Sequence, residues 1–320
     1  MTSPIAQEKP GPKPRRWWRI VRRVVITLII IAVVLVYGVF PYWMASVVTT
    51  AKTRSLDRQL TDTPATYGAR YRDVEFQTED GVRLSGWLLP SRASGVTIIY
   101  SHGLFRSRRE LLERAVDLWR LGYGALLYDA RNHGESGAAT VSLGYFESRD
   151  VLAAIRYLRE SEKSADSIAL YGISLGAVTA LRAAAETDQV KAVVSDSAFL
   201  SFEDTTSHHV SLFLRLPAFP LANVTRYFIE RRAGFDGSEL SAVDSVKRLG
   251  PRPVMFIAGA SDKRMPPDIA RRLYEASESP RRELFIVDAD QSNVHGHAYQ
   301  AAPALYVSRV DQFLKSALGD

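Results

Sequence analysis

Six apolar runs set the frame for this 320-residue chain: Val96–Tyr100, Tyr123–Tyr128, Ser167–Tyr171, Lys191–Ser195, Val254–Ala258 and Glu283–Val287. Each is too short for a helix, is continuously apolar rather than alternating, and holds β-branched or aromatic residues. That pattern predicts strands buried on both faces. Between and after them lie segments with helical spacing, near Arg109–Leu121, Ser148–Glu160, Ala177–Glu186, Pro267–Ala276 and Ala304–Ala317. Buried strands alternating with helices predict an α/β fold whose mostly parallel sheet is covered on both sides. Ahead of these runs, residues 72–78 and 82–89 alternate polar and apolar around Glu79-Asp80-Gly81, which predicts an antiparallel hairpin with one solvated face. One interval breaks the rhythm. Residues 198–250, rich in Phe, Leu and Pro, separate two strands that a single helix would normally join. They predict a small helical insertion that acts as a lid over the site.

The run Ser167–Tyr171 leads directly into Gly172-Ile173-Ser174-Leu175-Gly176 and then into an alanine-rich helix. Gly-x-Ser-x-Gly is common by chance, but between a strand and a helix it has the form of a nucleophile elbow. Gly172 and Gly176 would remove side chains that collide with the neighbouring strand and helix. In an open parallel sheet ligands bind beyond the carboxyl ends of the strands, so polar residues there are the candidates for chemistry.

After Val96–Tyr100 comes Ser101-His102-Gly103-Leu104-Phe105. The backbone N–H groups of Leu104 and Leu175 are the expected oxyanion-hole donors, with His102 a structural residue. After Tyr123–Tyr128, the loop 129–137 holds Asp129, His133 and Glu135 at a spacing that suggests metal ligands. No second His or carboxylate cluster completes a site, so it is read as a structural loop and no metal is expected. His208-His209, in the insertion, reads as a solvated pair or a weak substrate contact. Asp262, just past Gly259 at the end of Val254–Ala258, suits the acid that orients a catalytic imidazole. After the last strand His295 and His297 compete for the role of base. The order Ser174, Asp262, then histidine is that of the α/β-hydrolase fold, not of the chymotrypsin or subtilisin folds.

From about Tyr71 to Leu318 the chain resembles the α/β-hydrolase superfamily. Asp129-x-Arg131-x-His133-Gly134-x-Ser136, Gly144-Tyr145-x-Glu147-x-x-Asp150 and His295-Gly296-x-Ala298-Tyr299 resemble the serine-hydrolase branch that includes the membrane-anchored BEM46/ABHD13-like and bacterial YqkD-like proteins. In that branch the base precedes a small residue and lies four positions before an aromatic, which selects His295 and leaves His297 the runner-up. Two positions depart from the pattern: Ala258-Gly259 stands for the usual His-Gly, and Asn132 for the usual glycine. The resemblance implies the α/β-hydrolase fold and a Ser174–His295–Asp262 triad that works through an acyl-enzyme, with no cofactor. The expected reaction is hydrolysis of carboxylic esters, with lipid or acyl esters favoured by the apolar insertion. The same features suit a prolyl-oligopeptidase-type peptidase, an acyltransferase or a thioesterase; a non-catalytic binding module on this fold is the reading from another class.

The N-terminus carries a separate message. Residues 1–14 contain four prolines and few apolar residues and are expected to be disordered. Residues 1–23 hold seven basic residues against Glu8, whereas the rest of the chain holds 34 basic and 34 acidic residues and is neutral. The overall charge of +6 therefore belongs to the tail, and a nucleic-acid partner, which needs a basic face on the domain, is not expected. An uncharged stretch follows, flanked by Trp17, Trp18, Tyr42 and Trp43, and about 20 apolar residues suffice to span a bilayer. A buried core helix is rarely apolar on all faces for so long, and no Ala-x-Ala marks a cleavage site. The expectation is a disordered basic tail over 1–23, a signal anchor over 24–44, a linker over 45–70 and a hydrolase domain over 71–320. The basic flank puts the tail in the cytosol and the domain on the exoplasmic or periplasmic side. Cysteine is absent, which excludes disulfides and a cysteine nucleophile.

Overall fold

A computed structural model describes residues 15–162, 167–290 and 293–319; the tail expected to be disordered lies, up to residue 14, outside the described residues, and its remainder, 15–23, is helical because it continues into the apolar helix. Strands β1 (Arg72–Gln77), β2 (Arg83–Leu89), β3 (Val96–Ser101), β4 (Gly124–Tyr128), β5 (Ser167–Ile173), β6 (Val190–Asp196), β7 (Val254–Gly259) and β8 (Arg282–Val287) form one sheet in the order β1-β2-β4-β3-β5-β6-β7-β8. The hairpin partners β1 and β2 are antiparallel, β2 is antiparallel to β4, and every later pair is parallel. The helices are α1 (Arg15–Val34), α2 (Phe40–Thr49), α3 (Leu112–Arg120), α4 (Glu147–Tyr157), α5 (Leu175–Ala185), α6 (Phe202–Leu214), α7 (Leu221–Ala233), α8 (Ala242–Arg248), α9 (Pro267–Ala276) and α10 (Pro303–Leu318).

The continuous apolar runs have a direct cause. Successive strand residues point to opposite faces. Ile99, Leu126, Leu170 and Val193 pack beneath α4 and α5, while Ile98, Leu127, Ala169 and Val194 pack beneath α3 and α10. With both faces covered, most positions in the central strands are apolar, and exceptions such as Thr97, Ser195 and Asp196 are buried with them. Burying one such aliphatic side chain contributes about 1.5–3 kcal/mol, so the two half-cores fix the strand order and with it the carboxyl ends at which β3, β5, β7 and β8 converge.

The insertion is helical, as its sequence predicts: α6, α7 and α8 fill most of it. Ser201 caps α6 by accepting from the Asp204 N–H, and Ser241 caps α8 by accepting from that of Asp244. Its position differs from the expected lid. It stands beside the site, with α7 packed on α2 and α8 on α5.

Helices α1 and α2 are joined through a wider turn at Leu35–Val39, so the expected span 24–44 lies inside a helical run reaching from Arg16 to Thr49, long and apolar enough to cross a membrane. The side chains from Val24 to Val36 are exposed throughout. Past them the helix changes partner: Pro41, Ala45 and Thr49, one stripe at i, i+4, i+8, are buried, and α2 lies against α7. Tyr42 meets the Phe228 ring edge-on at 5.6 Å, and Arg232 donates to the Tyr42 hydroxyl at 3.0 Å.

The stretch 45–70, expected to be a polar stalk, is instead laid onto the domain. The Ala51 carbonyl accepts from Asn132 Nδ2 (2.9 Å), Thr53 Oγ1 accepts from the Gly134 N–H (2.7 Å) and donates to the Arg106 carbonyl (2.7 Å), and the Arg54 N–H donates to the Phe105 carbonyl (2.9 Å). Asp57 is buried between Arg54 and Arg106, 3.0 and 2.9 Å away. The physical reason is that two irregular loops, 103–106 and 131–137, have backbone groups that no strand can satisfy; the polar residues of this stretch are their partners.

Candidate active site

Ser174 sits at the turn from β5 into α5 with φ 54° and ψ −117°, a conformation that costs a non-glycine residue energy and persists only when its surroundings impose it. Here they do. Its N–H donates to the Asp196 carbonyl at 2.8 Å, and its carbonyl accepts from Ala177 N at 3.0 Å. A Cβ on Gly172 would overlap the carbonyl of Gly176, and one on Gly176 would overlap that of Ser101. Both glycines are therefore demanded by the close approach of strand, turn and helix.

His295, in the loop after β8, has Nε2 2.9 Å from Ser174 Oγ and Nδ1 2.7 Å from Asp262 Oδ2. A carboxylate only accepts, so Nδ1 is the protonated nitrogen and Nε2 is left facing the hydroxyl. The second oxygen of Asp262 accepts from the N–H groups of Arg264 (2.8 Å) and Met265 (3.0 Å), and the residue is 3% exposed. The structure thus brings Ser174, His295 and Asp262 into one hydrogen-bonded chain. His297 lines the same hollow but does not reach the serine; its Nδ1 has no partner among the described residues, and burial, with the Arg114 charge behind it, lowers its pKa.

The loop after β3 is held residue by residue. His102 donates from Nδ1 to the Gly103 carbonyl (2.8 Å) and accepts at Nε2 from the Ala130 N–H (3.0 Å). His133 accepts from the Phe105 N–H at 3.3 Å, and burial, then the nearby His102, pushes its pKa down to about 4. Glu110 accepts from the Gly103 N–H at 2.7 Å. The N–H groups on either side of Leu104 are engaged, whereas those of Leu104 and of Leu175, at the start of α5, have no acceptor among the described residues. Leu104 lines the hollow in front of Ser174. Asp129 and Glu135, weighed as metal ligands, are engaged elsewhere: Asp129 accepts from the N–H groups of Arg108 and Glu135 at 2.8 and 3.0 Å, and Glu135 pairs with Arg108. His208 and His209 bond to the carbonyls of Lys263 and Thr205.

Sequence reasoning misses a second tier of residues. Beneath the elbow Arg114, 1% exposed, pairs with buried Asp196 at 3.4 Å. Asp196 also accepts from Tyr306 (2.7 Å) and Ser197 (2.8 Å). Burial pushes this carboxyl up while Arg114 and the two hydroxyls pull it down. The available signal was an arginine set among Leu111, Ala115 and Leu118 on the apolar stripe of α3, where a solvated arginine has no place. The hollow itself, about 550 Å³, is not the apolar chamber the insertion suggested. Leu104, Phe105, Ile173 and Val294 share its wall with Arg54, Arg106, Arg114 and Arg264, and no residue of the insertion lines it.

The sequence profile of the X-Pro dipeptidyl-peptidases (S15 family) matches residues 63–233. The chain belongs to this family of α/β-hydrolases. The hydrolase is 28% identical over 236 residues to the protein YqkD of Bacillus subtilis, across 73% of this chain and 76% of YqkD. It is 30% identical over 220 residues to Rv2307c of Mycobacterium tuberculosis, across 67% and 70% of the two chains. Among solved structures it is similar to the esterase PF2001 of Pyrococcus furiosus, with a TM-score of 0.68 and 28% identity over 81% of this chain and 95% of the esterase. In general terms the protein is a serine hydrolase. The S15 match contains Ser174 and ends before Asp262 and His295, so the bond that is cleaved has to be argued from the site.

Proposed function

We propose that the hydrolase cleaves carboxylic esters through an acyl-enzyme on Ser174. The observation that carries this is the chain Asp262–His295–Ser174, with the serine held at positive φ in front of free N–H groups. In this reading His295 Nε2 takes the hydroxyl proton as Oγ attacks the ester carbonyl. Asp262 keeps the imidazole in the required tautomer and stabilises its charged form. The N–H groups of Leu104 and Leu175 receive the oxyanion, each such donor contributing about 3–4 kcal/mol. His295 then protonates the leaving alcohol, and water repeats the sequence on the acyl-enzyme.

The S15 match supports peptidase chemistry as the second reading. A dipeptidyl-peptidase has to recognise the free ammonium of its substrate, which calls for a carboxylate in the hollow. Glu110 is the carboxylate there, and it is already bonded to the Gly103 N–H and to Arg106 at 2.8 Å. The preference for esters over peptides is tested by comparing 4-nitrophenyl esters of rising chain length with an aminoacyl-prolyl 4-nitroanilide. The expected result is a kcat/KM larger by orders of magnitude on the esters; faster turnover of the anilide would overturn it.

The N-terminal helix is read as an uncleaved signal anchor. Cleavage after its apolar part would strip Pro41, Ala45 and Thr49 from their packing on the domain, which favours retention. Arg16, Arg19, Arg22 and Arg23 precede the apolar run, so the tail is assigned to the cytosol and the domain to the far side. A reporter fused after Asp320 is expected to be active only outside the cytosol, and cytosolic activity would overturn this orientation.

A further inference from the structure

Four arginines reach the hollow in front of Ser174, and three are matched by carboxylates. Asp57 takes Arg54 and Arg106, Glu110 takes Arg106 as well, and Asp196 takes Arg114. Arg264 is different. Among the described residues no carboxylate or carbonyl accepts from its guanidinium. Its guanidinium lies 5.9 Å from the Phe213 ring, the outer limit of a cation–π contact, and feels the charges of Asp262 and Glu110 without bonding to either. Asp262, the carboxylate nearest in sequence, is not available, since its oxygens are taken by His295 and by two backbone N–H groups. Those same bonds fix the backbone of Arg264 two residues from the acid. The side chain borders both the Ser174 hollow and the adjoining one under the insertion, which Leu200 and Thr205 line.

A guanidinium offers a planar fork of donors that matches carboxylate and phosphate oxygens. We propose that Arg264 binds an anionic group, a carboxylate or phosphate, on the ester substrate, so that the enzyme selects acidic esters over neutral ones. The inference rests on the ester-hydrolase reading and names its substrate class. It also gives the apolar wall a role: Ile173 and Val294 accommodate the few carbons between the scissile carbonyl and the charge.

The test uses the full chain in neutral detergent and two esters that differ by one methyl group and the charge it removes, 4-nitrophenyl hydrogen glutarate and 4-nitrophenyl methyl glutarate. The readout is the ratio of their kcat/KM values in the native protein, Arg264→Met and Arg264→Lys. A charge-assisted bond made to one ester and not the other predicts a ratio of about tenfold or more in the native protein. The ratio should fall close to one in Arg264→Met, be partly kept in Arg264→Lys, and shrink as salt is raised. A native ratio at or below one, or one that Arg264→Met leaves unchanged, would overturn the proposal. Binding of the two intact esters to Ser174→Ala, followed by calorimetry, separates this outcome from a failure of the hydrolase reading. An Arg264-dependent preference in binding without Ser174-dependent turnover would sink ester hydrolysis and keep the anion site. Competition by glutarate and by inorganic phosphate then distinguishes the groups: the one whose inhibition weakens in Arg264→Met is the one bound, and inhibition by both that is indifferent to Arg264 counts against the site.

Discussion

Replacing Ser174 by alanine is expected to abolish labelling by a fluorophosphonate probe and to lower kcat on 4-nitrophenyl esters by about 10⁴–10⁶-fold. The reagent phosphonylates an activated serine with loss of fluoride, and Ser174 is the serine whose hydroxyl lies 2.9 Å from an imidazole nitrogen backed by a carboxylate. Binding should survive, because the alanine removes one oxygen from a turn whose backbone bonds remain, and the unoccupied N–H groups still polarise a bound carbonyl. His295→Ala should cost about as much, since residues that act as a unit give losses that do not add. Labelling that persists in Ser174→Ala, or turnover within tenfold of native, would remove the nucleophile from the reading and the acyl-enzyme with it.

The second large effect concerns stability. Asp196→Ala leaves the Arg114 guanidinium buried without its carboxylate, takes the acceptor from Ser197 and leaves the Tyr306 hydroxyl only that of Tyr171. Breaking a buried pair from one side costs about 3–5 kcal/mol. For a domain of this size each kcal/mol moves Tm by about 2–4 °C, so thermal unfolding of the full chain should begin about 10 °C lower. The double variant Arg114→Met, Asp196→Ala should recover part of that loss, because it removes the stranded charge as well as its partner. A drop of under about 1 kcal/mol in the single variant would mean that the pair is solvated in the folded protein and does not support the floor of the elbow.

The parts of this fold that sequence conveys are those with a local physical cause. A strand covered on both faces is apolar at most of its positions, which is why β3 to β7 can be read from composition. Gly172 and Gly176 stand out because nothing larger fits between strand and helix. Asp262 and His295 are legible because topology delivers the ends of β7 and β8 to the serine. What sequence leaves open depends on distance in space. His295 and His297 follow the same strand two residues apart, and only the path of the loop gives one of them the serine. Arg114 and Asp196 are 82 positions apart, and neither carries a local sign of the other. The stretch after the apolar helix reads as a solvated stalk because its residues are polar, yet Thr53 and Asp57 are polar because they complete the bonding of buried loops. The insertion's apolar residues read as a lid over the hollow, because nothing local distinguishes a face turned to the hollow from one turned to the N-terminal helix.

The seating of residues 51–57 bears on how this protein can be handled at the bench. A version trimmed to start at Tyr71, the obvious choice for a soluble preparation, would keep every member of the hydrogen-bonded triad and still be a changed enzyme. It would lack Arg54 from the rim of the hollow, leave Arg106 to Glu110 alone, and uncover the N–H of Gly134. Kinetics recorded on such a fragment would describe a wider, differently charged mouth. Cleavage before Phe40, which keeps α2 on its bed against α7, is the cut that preserves the catalyst.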